Sequence, residues 1–311
     1  MVICEKPFVK NGKAFGCGQC FPCRFNRRRI WSHRIVLEAA QHSDNAFVTL
    51  TYDDQNLKPC SEDLGSSKPS TKPSLQPDQL RNFLKRLRKQ IAPGRIRFYA
   101  VGEYGDETWR PHYHLALFGY PTCVRLRTLR RPGSGRPVWK KCCERCRLIG
   151  ETWGLGDVDL GTLENDSAQY LAGYVTKKMT AVDDRRLEGR YPEFARMSLR
   201  PGLGHSAMHE VASQLMKYNL EDLEDVPGSL RHGSRIMPLG PYLQRTLRKM
   251  VGRDEKTPES VLEKYAEEMR LVREAAFENS QSYSKALVEA STQERQNFYS
   301  KQKLRKKVKT I

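Results

Sequence analysis

The chain has 311 residues, and its 54 Lys and Arg residues outnumber its 36 Asp and Glu residues, which gives a formal net charge of +18. This basic excess favours a polyanionic partner, most simply nucleic acid, and leaves a basic enzyme that binds no nucleic acid as the alternative. The N-terminal segment lacks the continuous apolar core of a signal peptide, and no stretch is apolar enough to cross a bilayer. We therefore expect neither a secreted protein nor a membrane protein.

The N-terminal region combines clustered cysteines with a basic helix. The motif CGQCFPC (residues 17–23) precedes RFNRRRIWSHRIVLEAAQH, whose apolar residues recur at helical spacing. Five arginines and no acidic residue lie within residues 24–34. This pattern is typical either of a solvated helix face or of a face that contacts DNA phosphates, and we favour the second. The DNA-binding candidates on this helix are Arg24, Arg27, Arg28, Arg29 and Arg34.

The middle of the chain alternates between predicted strands and helices. Runs rich in β-branched and aromatic residues predict strands at NAFVTLTYDD (45–54), GRIRFYAVGEYG (94–105), HYHLALFG (112–119) and GDVDLGTL (156–163). Amphipathic spacing predicts helices at PDQLRNFLKRLRKQI (77–91) and NDSAQYLAGYVTKKM (165–179). The short link DETWRP predicts an antiparallel hairpin, and the element order predicts an α+β fold, with a central antiparallel sheet and helices on one face.

Two histidines one residue apart begin the third of these strands. Residues i and i+2 of a strand point to the same face, so the imidazoles of His112 and His114 are close enough to share a divalent metal ion. A plain surface pair is the alternative. Glu103, on the preceding strand of the hairpin, supplies a carboxylate. Two imidazoles and one carboxylate suit Mg²⁺ or Mn²⁺ acting on a phosphate.

Two tyrosines four residues apart share one face of the last predicted helix. Tyr170 and Tyr174 have the spacing of ordinary packing residues, but other apolar side chains already supply a separate core face. A tyrosine hydroxyl is a competent nucleophile on phosphorus when a nearby cation meets its developing charge. Lys177 and Lys178 follow closely enough to provide that cation.

Two C-x-x-C pairs predict a tetrahedral thiolate site. Cys17 and Cys20 form the first pair, Cys143 and Cys146 form the second, and together they make one structural Zn²⁺ site possible. An iron–sulfur cluster and simple buried thiols are the alternatives. The second pair lies in a basic insertion at residues 121–150, where further DNA-binding candidates are Lys140 and Lys141.

Taken in chain order, the motifs resemble those of the HUH superfamily of rolling-circle replication initiators. The resemblance is narrower still to the initiators of small single-stranded DNA phages (Microviridae, gokushovirus type), and it covers about residues 15–205. The motifs that carry it are CGQC with its basic helix, FVTLTYDD, GEYG, RPHYHLALFG, TWGLGDVDLG, YLAGYVTKK and RMSLRPGLG. HYH departs mildly from the pattern, because Tyr113 is aromatic where a bulky hydrophobic residue is usual.

This resemblance implies a ferredoxin- or RRM-like palm that nicks DNA. His112, His114 and Glu103 would bind Mg²⁺ or Mn²⁺. Tyr170 or Tyr174 would attack the viral origin strand and leave a 5′-phosphotyrosine and a free 3′-hydroxyl, and the other tyrosine would act when the displaced strand is rejoined into a circle. The expected partners are single-stranded or replicative-form DNA at the origin, a host helicase and a host DNA polymerase, in the cytoplasm of the host bacterium. No P-loop motif is present, so we expect no ATP hydrolysis by the chain.

We expect four regions along the chain. They are a Cys-rich segment with a basic helix (1–45), an HUH nuclease core (46–182) with the insertion at 121–150, an accessory region (183–250) and a polar, helical, basic tail (251–311). Two other functions remain open from the sequence. One is a plasmid-type initiator or transposase with the same chemistry, and the other is a non-catalytic, zinc-stabilised DNA-binding protein.

Overall fold

The computed structural model describes residues 4–10, 13–59, 70–125, 142–174, 184–218 and 223–308. Four residues named above fall outside these ranges: Lys140, Lys141, Lys177 and Lys178. Their predicted roles therefore stay predictions.

Strands and helices are interspersed as far as Pro238, and the elements described after it are helices. The strands are β1 (Phe8–Lys10), β2 (Lys13–Phe15), β3 (Asn45–Thr51), β4 (Arg97–Tyr104), β5 (Pro111–Phe118), β6 (Val158–Thr162), β7 (Phe194–Met197), β8 (Ser229–His232) and β9 (Arg235–Pro238). The helices are α1 (Phe21–Ala39), α2 (Pro77–Gln90), α3 (Glu144–Trp153), α4 (Asn165–Tyr174), α5 (Ala207–Lys217), α6 (Gly240–Met250), α7 (Glu259–Glu268), α8 (Arg270–Glu278), α9 (Tyr283–Ala290) and α10 (Thr292–Val308).

A five-stranded antiparallel sheet with the order β6-β3-β5-β4-β7 forms the centre of the described fold. The chain enters it as β3-α2-β4-β5-α3-β6, which is the β-α-β-β-α-β arrangement of ferredoxin-like folds, with β7 added at one edge. The α+β fold predicted from the sequence is confirmed. Its hairpin is also confirmed, since β4 and β5 pair directly across the short link.

Helices cover both faces of this sheet, so the expectation of helices on one face alone is wrong. Strand side chains alternate between faces. On one face, Val48 and Leu115 pack in a single core with Phe83 of α2 and Trp153 of α3. On the other face the strand residues pack against α1 and α4 in a second core. Both faces are apolar, and each must be covered to remain out of water.

The remaining described helices extend the structure beyond the sheet. Helices α5 and α6 form a third core against Leu37 of α1. The β8–β9 hairpin also contacts α1, since His33 hydrogen-bonds the carbonyl of Pro238 at 2.9 Å. Near the chain's end, Phe298 of α10 packs against Phe25 at the start of α1.

Within the ranges that the structure describes, none of the helices combines the length and the apolar content that a membrane crossing requires.

Candidate active site

Glu103, His112 and His114 converge at the end of the β4–β5 pair. Glu103 and His112 are direct register partners, and the two histidines point to the same face of β5. One carboxylate oxygen, Glu103 Oε1, lies 2.6 Å from His112 Nε2 and 2.9 Å from His114 Nε2. The structure therefore brings together the three residues predicted from the sequence as metal ligands.

The other nitrogen of each imidazole is held by the protein. His112 Nδ1 lies 3.0 Å from the carbonyl oxygen of Arg110, which can only accept, so Nδ1 donates and Nε2 keeps its lone pair. His114 Nδ1 lies 2.9 Å from Thr49 Oγ1, on the neighbouring strand β3. Such contacts orient the rings of metal-binding histidines and raise their basicity. Thr49 could have been found from the sequence only by knowing that it pairs with His114 across β3 and β5.

Helix α4 places both predicted tyrosines beside these histidines. The hydroxyl of Tyr170 lies 3.4 Å from His114 Nε2, and the ring of Tyr174 stacks on the His114 ring with centroids 5.8 Å apart. The two tyrosine rings meet edge to face at 4.8 Å. The helix turns its small buried residues to the sheet and leaves these two rings at the rim of the site.

The two tyrosines differ in their environment. Tyr170 is 45% exposed, whereas Tyr174 is half-buried between Tyr170 and the His114 ring. Burial first, then the hydrogen bond with Tyr170 and the negative charge of Glu103, raise the pKa of Tyr174 above its ordinary value. A cation near Tyr174 would offset these effects, because it stabilises the phenolate.

Comparison with known proteins identifies the segment that carries this site. Residues 45–179 match a family of replication-associated proteins, the one described by its ORF2 members. The matched segment contains the three predicted ligands and both tyrosines. Residues 45–179 belong to this replication-associated protein family. The family resemblance read from the sequence is thereby confirmed.

The similar members of the family come from bacterial viruses. Replication-associated protein VP4 of Bdellovibrio phage phiMH2K is 31% identical over 180 residues, which are 55% of this chain and 51% of the relative. Replication-associated protein ORF2 of Spiroplasma virus 4 is 33% identical over 191 residues, which are 60% of this chain and 55% of the relative. The chain spans about half the length of these relatives. No solved structure matches the chain.

The arginines of α1 divide into two groups in this member of the replication-associated family. Arg27 and Arg29 are exposed, and Arg24 is half-buried. Arg28 donates from Nε to the carbonyl oxygen of Gln169 at 3.0 Å, and so fixes α4, the tyrosine helix, to α1. This contact makes Arg28 a positioning residue for the tyrosines, a role that sequence spacing alone does not indicate.

The predicted DNA contact of Arg34 is corrected by the structure. Its guanidinium lies over the rings of Trp31 at 4.2 Å and Tyr242 at 4.5 Å. Its Nε also donates to the carbonyl oxygen of Leu203 at 3.1 Å. The side chain is therefore used to join α1 to α6 and to the segment before α5. Helical spacing placed Arg34 among the basic residues, but it did not show that another helix packs over it.

The cysteines form two groups instead of the one site predicted from Cys17, Cys20, Cys143 and Cys146. Within the described ranges, four sulfurs in each group lie within 4.8 Å of one another. The N-terminal cysteine cluster consists of Cys4, Cys17, Cys20 and Cys23. The insertion cysteine cluster consists of Cys123, Cys142, Cys143 and Cys146. The predicted pairing is therefore wrong, because each C-x-x-C motif finds its partners near it in the chain.

Proposed function

We propose that the chain initiates rolling-circle DNA replication by nicking the viral origin strand with a tyrosine and later rejoining the displaced strand into a circle. The observation that carries the proposal is the position of the Tyr170 hydroxyl, 3.4 Å from a nitrogen of His114, which itself shares a carboxylate oxygen with His112. A nucleophile beside a candidate metal centre is the arrangement that phosphodiester cleavage needs. The family match to replication-associated proteins agrees with this function.

The donor set of Glu103, His112 and His114 fits a divalent metal ion. Both Nε2 atoms approach the same carboxylate oxygen, and the protein holds both Nδ1 atoms in place. The described residues supply three protein donors at this point, so positions on the ion remain for a phosphate and water. When bound, Mg²⁺ or Mn²⁺ would polarise the scissile phosphate as a Lewis acid.

The remaining chemistry belongs to the tyrosines. The phenolic oxygen of Tyr170 attacks phosphorus, and an Oη–P bond forms as the bond from phosphorus to the 3′ oxygen breaks. The phenolic proton passes to solvent, and the released 3′ oxygen gains a proton. The product is a 5′-phosphotyrosine and a 3′-hydroxyl, so the phosphodiester linkage is conserved and no ATP is consumed. Lys177 and Lys178 are proposed to stabilise the phenolate.

Circle closure requires a second nucleophile. Tyr174 lies next to Tyr170 on the same helix face, with ring centroids 4.8 Å apart. It would cut the regenerated origin, and the freed 3′-hydroxyl would then attack the phosphotyrosine at Tyr170. Two adjacent hydroxyls allow both cuts to use one metal centre.

The substrate would be single-stranded DNA, or replicative-form DNA melted at the origin. Arg24, Arg27 and Arg29 would contribute the salt-dependent attraction of a basic helix to phosphates. Without a P-loop in the sequence, the chain would depend on a host helicase to separate the strands and on a host polymerase to extend the 3′ end. We place this activity in the cytoplasm of the host bacterium.

A covalent-capture assay tests the proposal. The protein is incubated with Mn²⁺ and labelled single strands that tile the DNA carrying its gene. An SDS-resistant adduct is expected, and it should disappear in the Tyr170→Phe, Tyr174→Phe double variant. Tyr218→Phe is the matched control, since this exposed tyrosine lies on a different helix end. Binding of DNA without any adduct would reject the enzyme and favour a non-catalytic DNA-binding protein.

A further inference from the structure

The two cysteine clusters lie outside the proposed active site and have no part in its chemistry. Each combines one C-x-x-C pair with cysteines from a neighbouring segment of the chain. In the N-terminal cluster, Cys4 is fully buried and its partners are half-buried. In the insertion cluster, Cys143 is half-buried and the other three are buried. Eight thiols gathered in this way need a physical explanation.

The sulfur–sulfur distances match the edges of a tetrahedron around one metal ion. A Zn–S bond of about 2.3 Å in tetrahedral geometry separates the sulfurs by about 3.8 Å. Cys4 Sγ and Cys20 Sγ are 3.8 Å apart. In the insertion cluster the separations are 3.6 Å for Cys123–Cys142, 4.0 Å for Cys123–Cys143 and 3.5 Å for Cys143–Cys146. All are much longer than a disulfide bond of about 2.05 Å.

Backbone N–H groups point at the sulfurs of the N-terminal cluster. Cys17 Sγ accepts from the amides of Gln19 at 3.4 Å and Cys20 at 3.3 Å, within the C-x-x-C turn. Cys4 Sγ accepts from the amides of Lys6 at 3.4 Å and Cys17 at 3.2 Å. Donors arranged around a sulfur stabilise a thiolate, which is the form that binds metal.

The insertion cluster repeats this local arrangement. Cys143 Sγ accepts backbone hydrogen bonds from Cys146, again within the C-x-x-C turn, and from Val124. The neighbouring backbone is held by Arg145, whose Nη1 donates to the carbonyl oxygen of Thr122 at 2.9 Å. Two sites with unrelated partners thus share one turn geometry, which argues against an accidental gathering of thiols.

We propose that each cluster binds one Zn²⁺, so that the chain carries two independent structural zinc sites. Four thiolates complete a tetrahedral shell and leave no position for substrate, which is the composition of structural zinc sites. Soft sulfur donors in a tetrahedron also select against Mg²⁺ and Mn²⁺. The sulfurs of each group are close enough together for a single ion.

The two ions would fix different parts of the chain. The N-terminal zinc joins the segment before β1 to the start of α1, because Cys20 and Cys23 lie at the first turn of that helix. The insertion zinc joins Cys123, just after β5, to the start of α3 at Cys143 and Cys146. It therefore closes the base of the basic insertion onto the central sheet.

Zinc stoichiometry tests the proposal on the full chain. Zinc per chain is measured by plasma mass spectrometry on protein that carries His112→Ala and His114→Ala, so that no ion at the histidine site is counted. Two zinc ions per chain are expected. A value of one, a value of zero, or iron in place of zinc would overturn the proposal. This measurement does not depend on DNA nicking, so its failure and the failure of the proposed function are distinguishable.

Cysteine variants separate two sites from one shared site. Cys17→Ser/Cys20→Ser and Cys143→Ser/Cys146→Ser should each lose one zinc and keep the other. If the two pairs formed one site, either variant would lose all zinc, and the two-site proposal would be wrong. Cys60→Ser is the matched control and should keep both ions, because each cluster is already complete with four ligands.

A second measurement covers variants that fail to fold. A thiol-reactive mercurial added to the protein with native histidines displaces only zinc that is bound by thiolates, and a chromogenic chelator records the release. Two zinc ions per chain should be released. Release of fewer than two contradicts the proposal without any substitution in the chain.

Discussion

Glu103 and His112 face each other across the β4–β5 pair, with Oε1 of the one 2.6 Å from Nε2 of the other. The same carboxylate oxygen reaches His114 Nε2 at 2.9 Å, although His114 lies one pleat further along the strand. A single buried glutamate thus gathers both imidazoles at one point. The relationship makes the hairpin register, and not only the H-x-H spacing, a condition for activity.

Replacing His114 should abolish nicking and leave DNA binding in place. His114→Ala removes one of three ligands, so we expect covalent adduct to fall at least 100-fold. The affinity for single-stranded DNA and its salt dependence should change little, because these arise from basic residues elsewhere. His209→Ala, at an exposed helix position, is the control. Loss of both nicking and binding in His114→Ala would assign the histidine a structural role.

Thr49 should tune metal affinity without touching the metal. Thr49→Val keeps the shape of the side chain and removes the contact to His114 Nδ1, so the ring loses its orienting partner. Loss of such a contact typically weakens metal binding about 10–100-fold. The Mn²⁺ concentration for half-maximal adduct should rise accordingly, with the maximal yield restored at high Mn²⁺. Thr51→Val is the control, since Thr51 donates to the carbonyl oxygen of Asp157 instead. An unchanged Mn²⁺ requirement would contradict the role of Thr49.

The two tyrosines should act at different steps. Tyr170 is the more exposed, and burial raises the pKa of Tyr174, so Tyr170 is expected to make the first cut. Tyr170→Phe should slow first-strand cleavage at least 10-fold, whereas Tyr174→Phe should cut once and fail to close the circle. Labelled linear and circular products on a denaturing gel distinguish the two outcomes. Complete circle formation by either single variant would reject the two-nucleophile scheme.

The exposed arginines of α1 should account for part of the salt dependence of binding. Each phosphate contact to single-stranded DNA contributes about 0.7 to the slope of log K against log salt. Arg27→Ala/Arg29→Ala should therefore lower that slope by about 1.4. Arg270→Ala is the control, because Arg270 is paired with Glu267 and Glu274 on α8. A double variant with an unchanged slope would remove this helix face from the DNA interface.

A buried histidine on α1 should make stability depend on pH. Burial lowers the pKa of His33 from 6.5 to about 4; the carbonyl of Pro238 opposes this shift, while the charges of His232 and Arg29 add to it. The unfolded chain binds the proton more readily, so the stabilisation is full above pH 6.5 and is lost as the pH falls towards 4. At pH 5 we expect a loss of about 2 kcal/mol relative to pH 7.5.

Urea unfolding at the two pH values measures this effect. His33→Gln, which does not titrate, should be less stable at pH 7.5 and should lack this part of the pH dependence. The difference between wild type and variant isolates His33 from every other titrating group. Equal pH dependence in the two proteins would show that His33 is protonated at the same pH in the folded and unfolded chains.

Local patterns accounted for the elements of the site. Period-two alternation put His112 and His114 on one face of a strand, and helical spacing put Tyr170 and Tyr174 on one face of a helix. The short link between two strand-like runs predicted the hairpin that brings Glu103 opposite His112. Each of these inferences depends on residues that are close in sequence, where chain geometry leaves few alternatives.

Contacts between distant segments were decided by the tertiary structure. Arg34 looked like its basic neighbours, yet α6 and the segment before α5 enclose it. Cys20 and Cys143 looked like halves of one site, yet Cys4 and Cys123 complete two separate ones. Thr49 carries no motif at all and supports His114 only because β3 pairs with β5.

The sequence by itself thus determined the α+β class, the candidate metal ligands and the tyrosine pair, because repeat periods of about 2 and 3.6 residues fix which neighbouring side chains share a face. Only the tertiary structure decided which helix covers which face of the sheet, which sulfurs meet, and how near Tyr170 comes to His114. These distances depend on the packing of whole elements against one another. Many local sequences are compatible with several such packings, and the burial of complementary apolar faces selects among them.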